Sequence, residues 1–245
     1  AYNPSQSDAN SDGIGDACDP TFIYVAVAPS ATGVGQPHFI WSGASVTLGG
    51  VAGGAVNQYN WDFGDGSPAT GYLAISSLYN ITAPAHTYTG SVDQVFTAVL
   101  TVRNSATPAV TYSKSYSIVI KAKTAEIEAN LAIEKGLWYL HQNLTRATYA
   151  AGAPGFGQPY GLWNDNQVHW STVVAARAFA VQGHTVIGDP LVDPYVDDVV
   201  RVFNNTLAQL TVLAIGNQVD GSGVTHNPDT NGNGIALKDQ VHGTS

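Results

Sequence analysis

Along this chain, apolar residues first recur at every second position and later at every third or fourth, and that change of period divides the sequence. From Thr21 to Lys123, short alternating stretches are separated by Gly, Pro and Asn, the pattern of half-buried strands in a β-sandwich. The expected strands are Phe22 with Tyr24–Ala28, Ser45–Leu48, Gln58–Phe63, Val95–Val102 and Ser113–Ile120. In the fourth, Phe96, Ala98, Leu100 and Val102 alternate with Thr97, Val99, Thr101 and Arg103, so one set faces a core. After Lys123 the period becomes helical. Ile133, Leu137, Leu140 and Leu144 share a face that Leu131 and Trp138 widen, which predicts an amphipathic helix over Ala125–Leu144. Trp170, Val174, Ala178 and Val181 mark a second helix, opened by His169 and stopped by Gly183. For a third, Asp193 serves as N-cap and Pro194 as a first-turn residue. Val196, Val199, Val200, Phe203, Leu207 and Leu210 form its apolar stripe, and Asp197 and Asp198 sit where the helix dipole favours anions. Capping explains the acids between 189 and 198 more simply than a metal site.

Composition narrows the classes of function. Nine Lys and Arg against 18 Asp and Glu give a net charge of -9 over 245 residues. No basic stripe exists to neutralise phosphates, so nucleic acid is not an expected partner, and anionic lipid is disfavoured on the same ground. No apolar run reaches the roughly 18 residues a membrane helix needs. Abundant Thr, Ser, Asn, Gly and Tyr with scarce Lys points outside the cell, to a secreted or cell-surface protein. Sequons at Asn80, Asn143 and Asn204 are compatible with glycosylation there, although such triplets also arise by chance in Asn-rich and Thr-rich chains.

The candidate chemistry lies at the start. In SDANSDGIGDACDP, counting from Asp8, oxygen-bearing side chains stand at loop positions one, three, five, nine and twelve: Asp8, Asn10, Asp12, Asp16 and Asp19. Gly13 takes position six, and Ile14 at position seven offers its carbonyl. That is the ligand spacing of a calcium loop, since a hard cation needs about six to eight oxygens and alternation wraps a short chain around one point. A polar acidic leader is the alternative. The flanking helices and closing Glu of an EF-hand are lacking. A fainter version recurs near the end, where Asp229, Asn231 and Asn233 occupy positions one, three and five, but Leu237 and Gln240 break the set. A second calcium site or a Gly- and Asn-rich turn are the two readings of it.

Asn3, Pro4, Gln6, Asp8, Asp12, Gly13, Gly15, Asp16, Cys18 and Asp19 together resemble the thrombospondin type 3 repeat over about the first 20 residues. The resemblance implies calcium binding by these Asp and Asn side chains and a disulfide at Cys18. The chain has one Cys, so its partner would be an upstream segment or another chain, or Cys18 is a free thiol. The run opens mid-pattern, so Ala1 is expected to be a processed or observed boundary. Tyr59, Trp61, Asp62, Phe63, Gly64, Asp65 and Gly66, with His86, Tyr88, Gly90, Phe96, Leu100, Thr101 and Val102, resemble the PKD (polycystic kidney disease) domain over residues 22–122. That implies an immunoglobulin-like sandwich acting as a spacer or binding module. Trp61 is expected to anchor its core, and Asp62, Asp65 and His86 to hold turns by side-chain to backbone bonds. AIEKGLWYLHQNL weakly resembles the repeat helices of the α/α toroid of terpene cyclases and prenyltransferases. Their Asp clusters and zinc ligands are absent, and three helices cannot close such a barrel. The helical region is therefore expected to continue past Ser245 or to bury its open face on another subunit.

The expected fold is multidomain, β then α: a calcium-binding loop at 1–21, an immunoglobulin-like sandwich at 22–123 and a small helical domain at 124–245. The seven His are scattered, and no HExxH, GxSxG or P-loop occurs, so no catalytic residue is assigned. Phe156, Tyr160 and Trp163 in a Gly-rich loop could stack on sugar rings or plug the space between helices. The expected function is a non-catalytic, calcium-stabilised extracellular structural or adhesive protein, a subunit of a surface filament or appendage. Its expected partners are copies of itself, other extracellular proteins, or carbohydrate. The alternative is an accessory spacer or carbohydrate-binding region of a larger secreted enzyme.

Overall fold

The computed structural model describes residues 22–153, 155, 157–163, 168–214, 216–229 and 235–239. The alternating stretches form β1 (Tyr24–Val27), β2 (His38–Trp41), β3 (Ser45–Val46), β4 (Gly49–Gly53), β5 (Gln58–Asp62), β6 (Leu73–Ala74), β7 (Ile81–Thr82), β8 (His86–Thr87), β9 (Val95–Arg103) and β10 (Thr111–Lys121). One sheet runs β1-β4-β7 and another β2-β10-β9-β5-β6, with β3 and β8 paired separately. β2 lies parallel to β10, whereas β9 pairs with β10 and β5 antiparallel. Both sheets feed one core around Ile40, Leu48, Trp61, Ile81, Leu100 and Ile118. In β9, Phe96, Ala98, Leu100 and Val102 are buried and the residues between them are not, as the alternation requires.

The second half begins with α1 (Ala125–Asn143), whose first turn is capped by Thr124 Oγ1 accepting from Ile127 N at 3.3 Å. A hairpin of β11 (Thr145–Thr148) and β12 (Pro159–Leu162) follows, then α2 (Val168–Val181) and α3 (Pro194–Ala208). Gly183 ends α2 at φ +92°, a left-handed conformation that favours glycine. β13 (Leu210–Ala214) pairs with β16 (Ile235–Asp239), enclosing the small hairpin of β14 (Gln218–Val219) and β15 (Thr225–His226). The architecture is thus β then helical, with six short strands among the described residues of the later half that helical periodicity did not announce.

Two apolar stripes differ from expectation. In α3, Phe203 and Leu207 are half exposed, while Tyr195, Asp198, Val202 and Asn205 face inward. In α2, Val174 and Val181 are exposed, and Thr172, Ala175 and Phe179 are buried. Both helices carry Val and Ala on most sides, so period alone does not choose the face; contact with Trp163, Leu137 and Trp138 does. The outward residues of α2, with Ile133 and Leu140 of α1, line an open apolar groove of about 630 Å³.

The two halves share a second core. Ala26 and Val51 of the three-stranded sheet, with Ala28 just past β1, pack with Leu137, Trp138, Phe179, Tyr195 and Val199. Gly49 makes this approach possible, because a Cβ there would lie 2.5 Å from the Trp138 indole. β4 is consequently buried on both faces, and its GGVAG sequence shows no alternation.

Candidate functional site

The N-terminal calcium-loop residues Asp8, Asn10, Asp12, Ile14, Asp16 and Asp19, and Cys18, lie outside the described residues, as do Asn231, Asn233 and Phe156. Asp229 is described; its N–H donates to Asn227 Oδ1 at 3.0 Å. Of the sequons, Asn80 is exposed, its Oδ1 accepting from Thr82 Oγ1 and Gln142 Nε2. Asn143 is exposed at the end of α1 and donates to Tyr139 O. Asn204, within α3, commits its amide to Pro159 O at 2.8 Å, a bond that a glycan on that nitrogen would disturb.

The aromatic and acidic residues of the sandwich hold turns. Trp61 is 0% exposed in the core. Asp62 Oδ1 accepts from Gly64 N and Asp65 Oδ1 from Ser67 N. His86 departs from expectation: its Nε2 bonds the Asp65 carboxylate at 2.7 Å rather than backbone, and its ring stacks on Phe63. Burial would raise the Asp65 carboxyl, but hydrogen bonds from Ser67 and His86 outweigh it and hold the pKa at about 2. The loop aromatics plug rather than project. Trp163 is buried beside Phe179 and donates Nε1–H to Leu140 O at 2.8 Å, and Tyr160 stacks on Tyr149.

The densest polar chemistry lies where sandwich and helices meet, and periodicity did not point to it. The segment before β7 carries Tyr79 toward α1 and α3. His141, fully buried in α1, meets acceptors at both ring nitrogens: Asp198 Oδ2 at 2.6 Å on Nδ1 and Tyr79 O at 2.8 Å on Nε2. Arg146 Nη2 also lies 3.1 Å from the same Nδ1, so the imidazole edge, the carboxylate and the guanidinium form one cluster. Asp198, 0% exposed, also accepts from Arg146 Nη2 at 2.5 Å, and the same nitrogen donates to His141 O at 2.9 Å. Arg201 donates Nε–H to Asp197 at 2.6 Å and Nη2–H to Tyr79 Oη at 2.9 Å. The Tyr79 ring is thereby flanked by two guanidinium groups, at 4.7 and 5.3 Å from its centroid. Burial raises the Tyr79 hydroxyl above its ordinary range, against the lowering pull of Arg201.

Two further His–carboxylate pairs adjoin this seam. Asp193 caps α3 by accepting from Tyr195 N at 3.0 Å and bonds His184 Nδ1 at 2.6 Å with its other oxygen. His38 of β2 bonds Glu134 of α1 at 2.9 Å, and Glu134 also accepts from Ala31 N at 2.9 Å. Of the acids between 189 and 198, Asp189 and Asp193 therefore act in capping and turn bonds, Asp197 lies in the first turn of α3 and also pairs with Arg201, and Asp198 is an ion-pair member rather than a dipole anion. Among the described residues, no group of three or more His, Cys, Asp or Glu has the geometry to hold a metal, and no helix is long and apolar enough to cross a membrane.

No protein-family model matches the chain, and no curated protein matches it. Among solved structures, the crystal structure of an engineered protein is similar at 17% identity and a TM-score of 0.29. The match covers 42% of this chain and spans only 21% of that one.

Proposed function

We propose that this chain is a non-catalytic structural subunit of an extracellular assembly, a surface filament or appendage, stiffened by calcium at its N-terminal segment. The observation that carries this reading is the fate of the buried charge. Asp198 with His141 and Arg146, Asp193 with His184, and Asp197 with Arg201 are spent on one another, and His141 and Arg201 in turn bond Tyr79 of the strap before β7. Such paired groups resist separation of the parts they join, because breaking one pair leaves a charge stranded in low dielectric.

Three further features support the reading. The core Trp61, the Asp62 and Asp65 turns and the paired sheets accord with a PKD-like spacer over residues 22–122. The groove between α1 and α2 offers an apolar face to a second copy, a contact that builds a filament if its rotation does not close. The oxygen spacing from Asp8 to Asp19 suits a calcium ion at the concentrations found outside cells. Sedimentation velocity of the chain with millimolar calcium, then with a chelator, tests the proposal. Large species with calcium that disperse on chelation are expected; a monomer indifferent to calcium would count against it.

A further inference from the structure

Between α1 and the sandwich lies a cavity of about 240 Å³, with His38, Tyr116, Glu134 and Tyr195 at its polar end and Ile118 and Leu131 on its apolar side. At about 30 Å³ per water it holds roughly eight water-sized groups. Its polar residues are incompletely satisfied. Tyr195 is 1% exposed, and its hydroxyl has no hydrogen-bond partner among the described residues. Tyr116 Oη comes within 3.0 Å of His38 Nδ1, but the two rings are stacked, 3.8 Å apart and 10° from parallel. With Nδ1–H donating to the Glu134 carboxylate, that nitrogen has no lone pair for the phenol, and the Tyr116 O–H is left free to donate into the cavity. Nδ1 is already directed at Glu134 Oε2. Each Glu134 oxygen accepts one bond, so each retains a lone pair.

The cavity thus offers two phenolic donors and a carboxylate acceptor, and that combination selects by charge. Burial, with Glu134 among the carboxylates adding to it, raises both phenols well above their usual range, so both stay protonated. An anion placed against the phenols would meet the Glu134 charge, since the other charged side chain on the lining, Lys135, is exposed. An ammonium group has only donors and would leave both phenol protons unmet. A pair of neutral hydroxyls accepts from the phenols and donates to the carboxylate, while its carbon skeleton lies on Leu131 and Ile118. We propose that this cavity binds a neutral vicinal diol, presented either by a small free polyol or by the terminal edge of a sugar, through Tyr195, Tyr116 and Glu134. The site is independent of whether the chain assembles.

Titration of the full chain with erythritol and with methyl glucoside, followed by saturation-transfer NMR, tests this, with acetate and ethylammonium as charged controls. At least one neutral probe is expected to bind in the millimolar range, and which one binds identifies the source of the diol. Y195F should weaken binding about tenfold, since a site built to donate to a hydroxyl loses most when the donor is removed. Its melting temperature should be unchanged or higher, because the lost hydroxyl bonds no group among the described residues. L131F, which fills the cavity from its apolar side, should abolish binding. If Y195F does not fold, an NOE from the bound probe to the Tyr195 ring of the unmodified chain decides the same point. Lack of binding by both neutral probes at on the order of 100 mM, equal binding of a charged control, or full affinity in Y195F would overturn the proposal.

Discussion

Replacing Asp198 by Asn strikes the junction at its centre while changing almost no volume. The Asp198 carboxylate is fully buried and is the shared acceptor of His141 and Arg146. With Asn there, one bond turns into an N–H facing an N–H, and the Arg146 guanidinium loses its counter-charge. Removal of one member of a buried pair costs about 3–5 kcal/mol, since the partner's charge is left desolvated. With a urea slope of about 2.5 kcal/mol/M, the unfolding midpoint should fall by about 1.2–2 M. The reference variant is Glu128→Gln, which removes the Glu128–Lys123 pair, both of whose side chains are at least half exposed. That change should cost under about 1 kcal/mol. Urea denaturation followed by tryptophan fluorescence reads both variants, and a double-mutant cycle with Arg146→Gln should return a coupling of about 1–3 kcal/mol. If D198N unfolds at the same urea concentration as E128Q, the buried charge does not hold the halves together.

Three other outcomes follow from particular contacts. The Asp65 carboxyl titrates at about 2 when folded against an unfolded value of 3.8, so its contribution is complete above about pH 4 and lost as pH falls through 2; acid titration of stability should be shallower in D65N over that window. Gly49→Val drives a side chain into the Trp138 indole and should destabilise by about 1–3 kcal/mol in thermal melts, whereas the same change at exposed Gly136, where no atom lies within 4 Å, should cost about 1 kcal/mol or less. Calorimetry of the chain with calcium should show one site, and Asp12→Ala with Asp16→Ala should abolish it; uptake unaffected by those changes would exclude the N-terminal loop as the ligand set.

How legible this fold is in the sequence depends on how each element is buried. β9 could be read because one face is buried and the other is not, so burial and alternation coincide. The cap Asp193 and the stop at Gly183 act through adjacent backbone, and local chemistry exposes them. β4 could not be read, because a strand buried between a sheet and α1 has no polar side and uses Gly to admit Trp138. Asp198 looked like a helix-dipole anion for a related reason. Its partners lie 52 and 57 residues away, and only tertiary packing brings Arg146 and His141 to it. His38, Tyr116, Glu134 and Tyr195 come from four different elements, β2, β10, α1 and α3, so the cavity they line leaves no spacing signature.

Whether sandwich and helices bear load as one body is read most directly by stretching a single chain held beyond residues 22 and 214. The junction of Asp198, His141, Arg146 and Tyr79 should make both halves yield together. A single rupture is expected, releasing about 690 Å of chain, less the folded end separation, for roughly 190 residues at about 3.6 Å each. Two separate ruptures of about 320–360 Å, divided near Lys123, would contradict it.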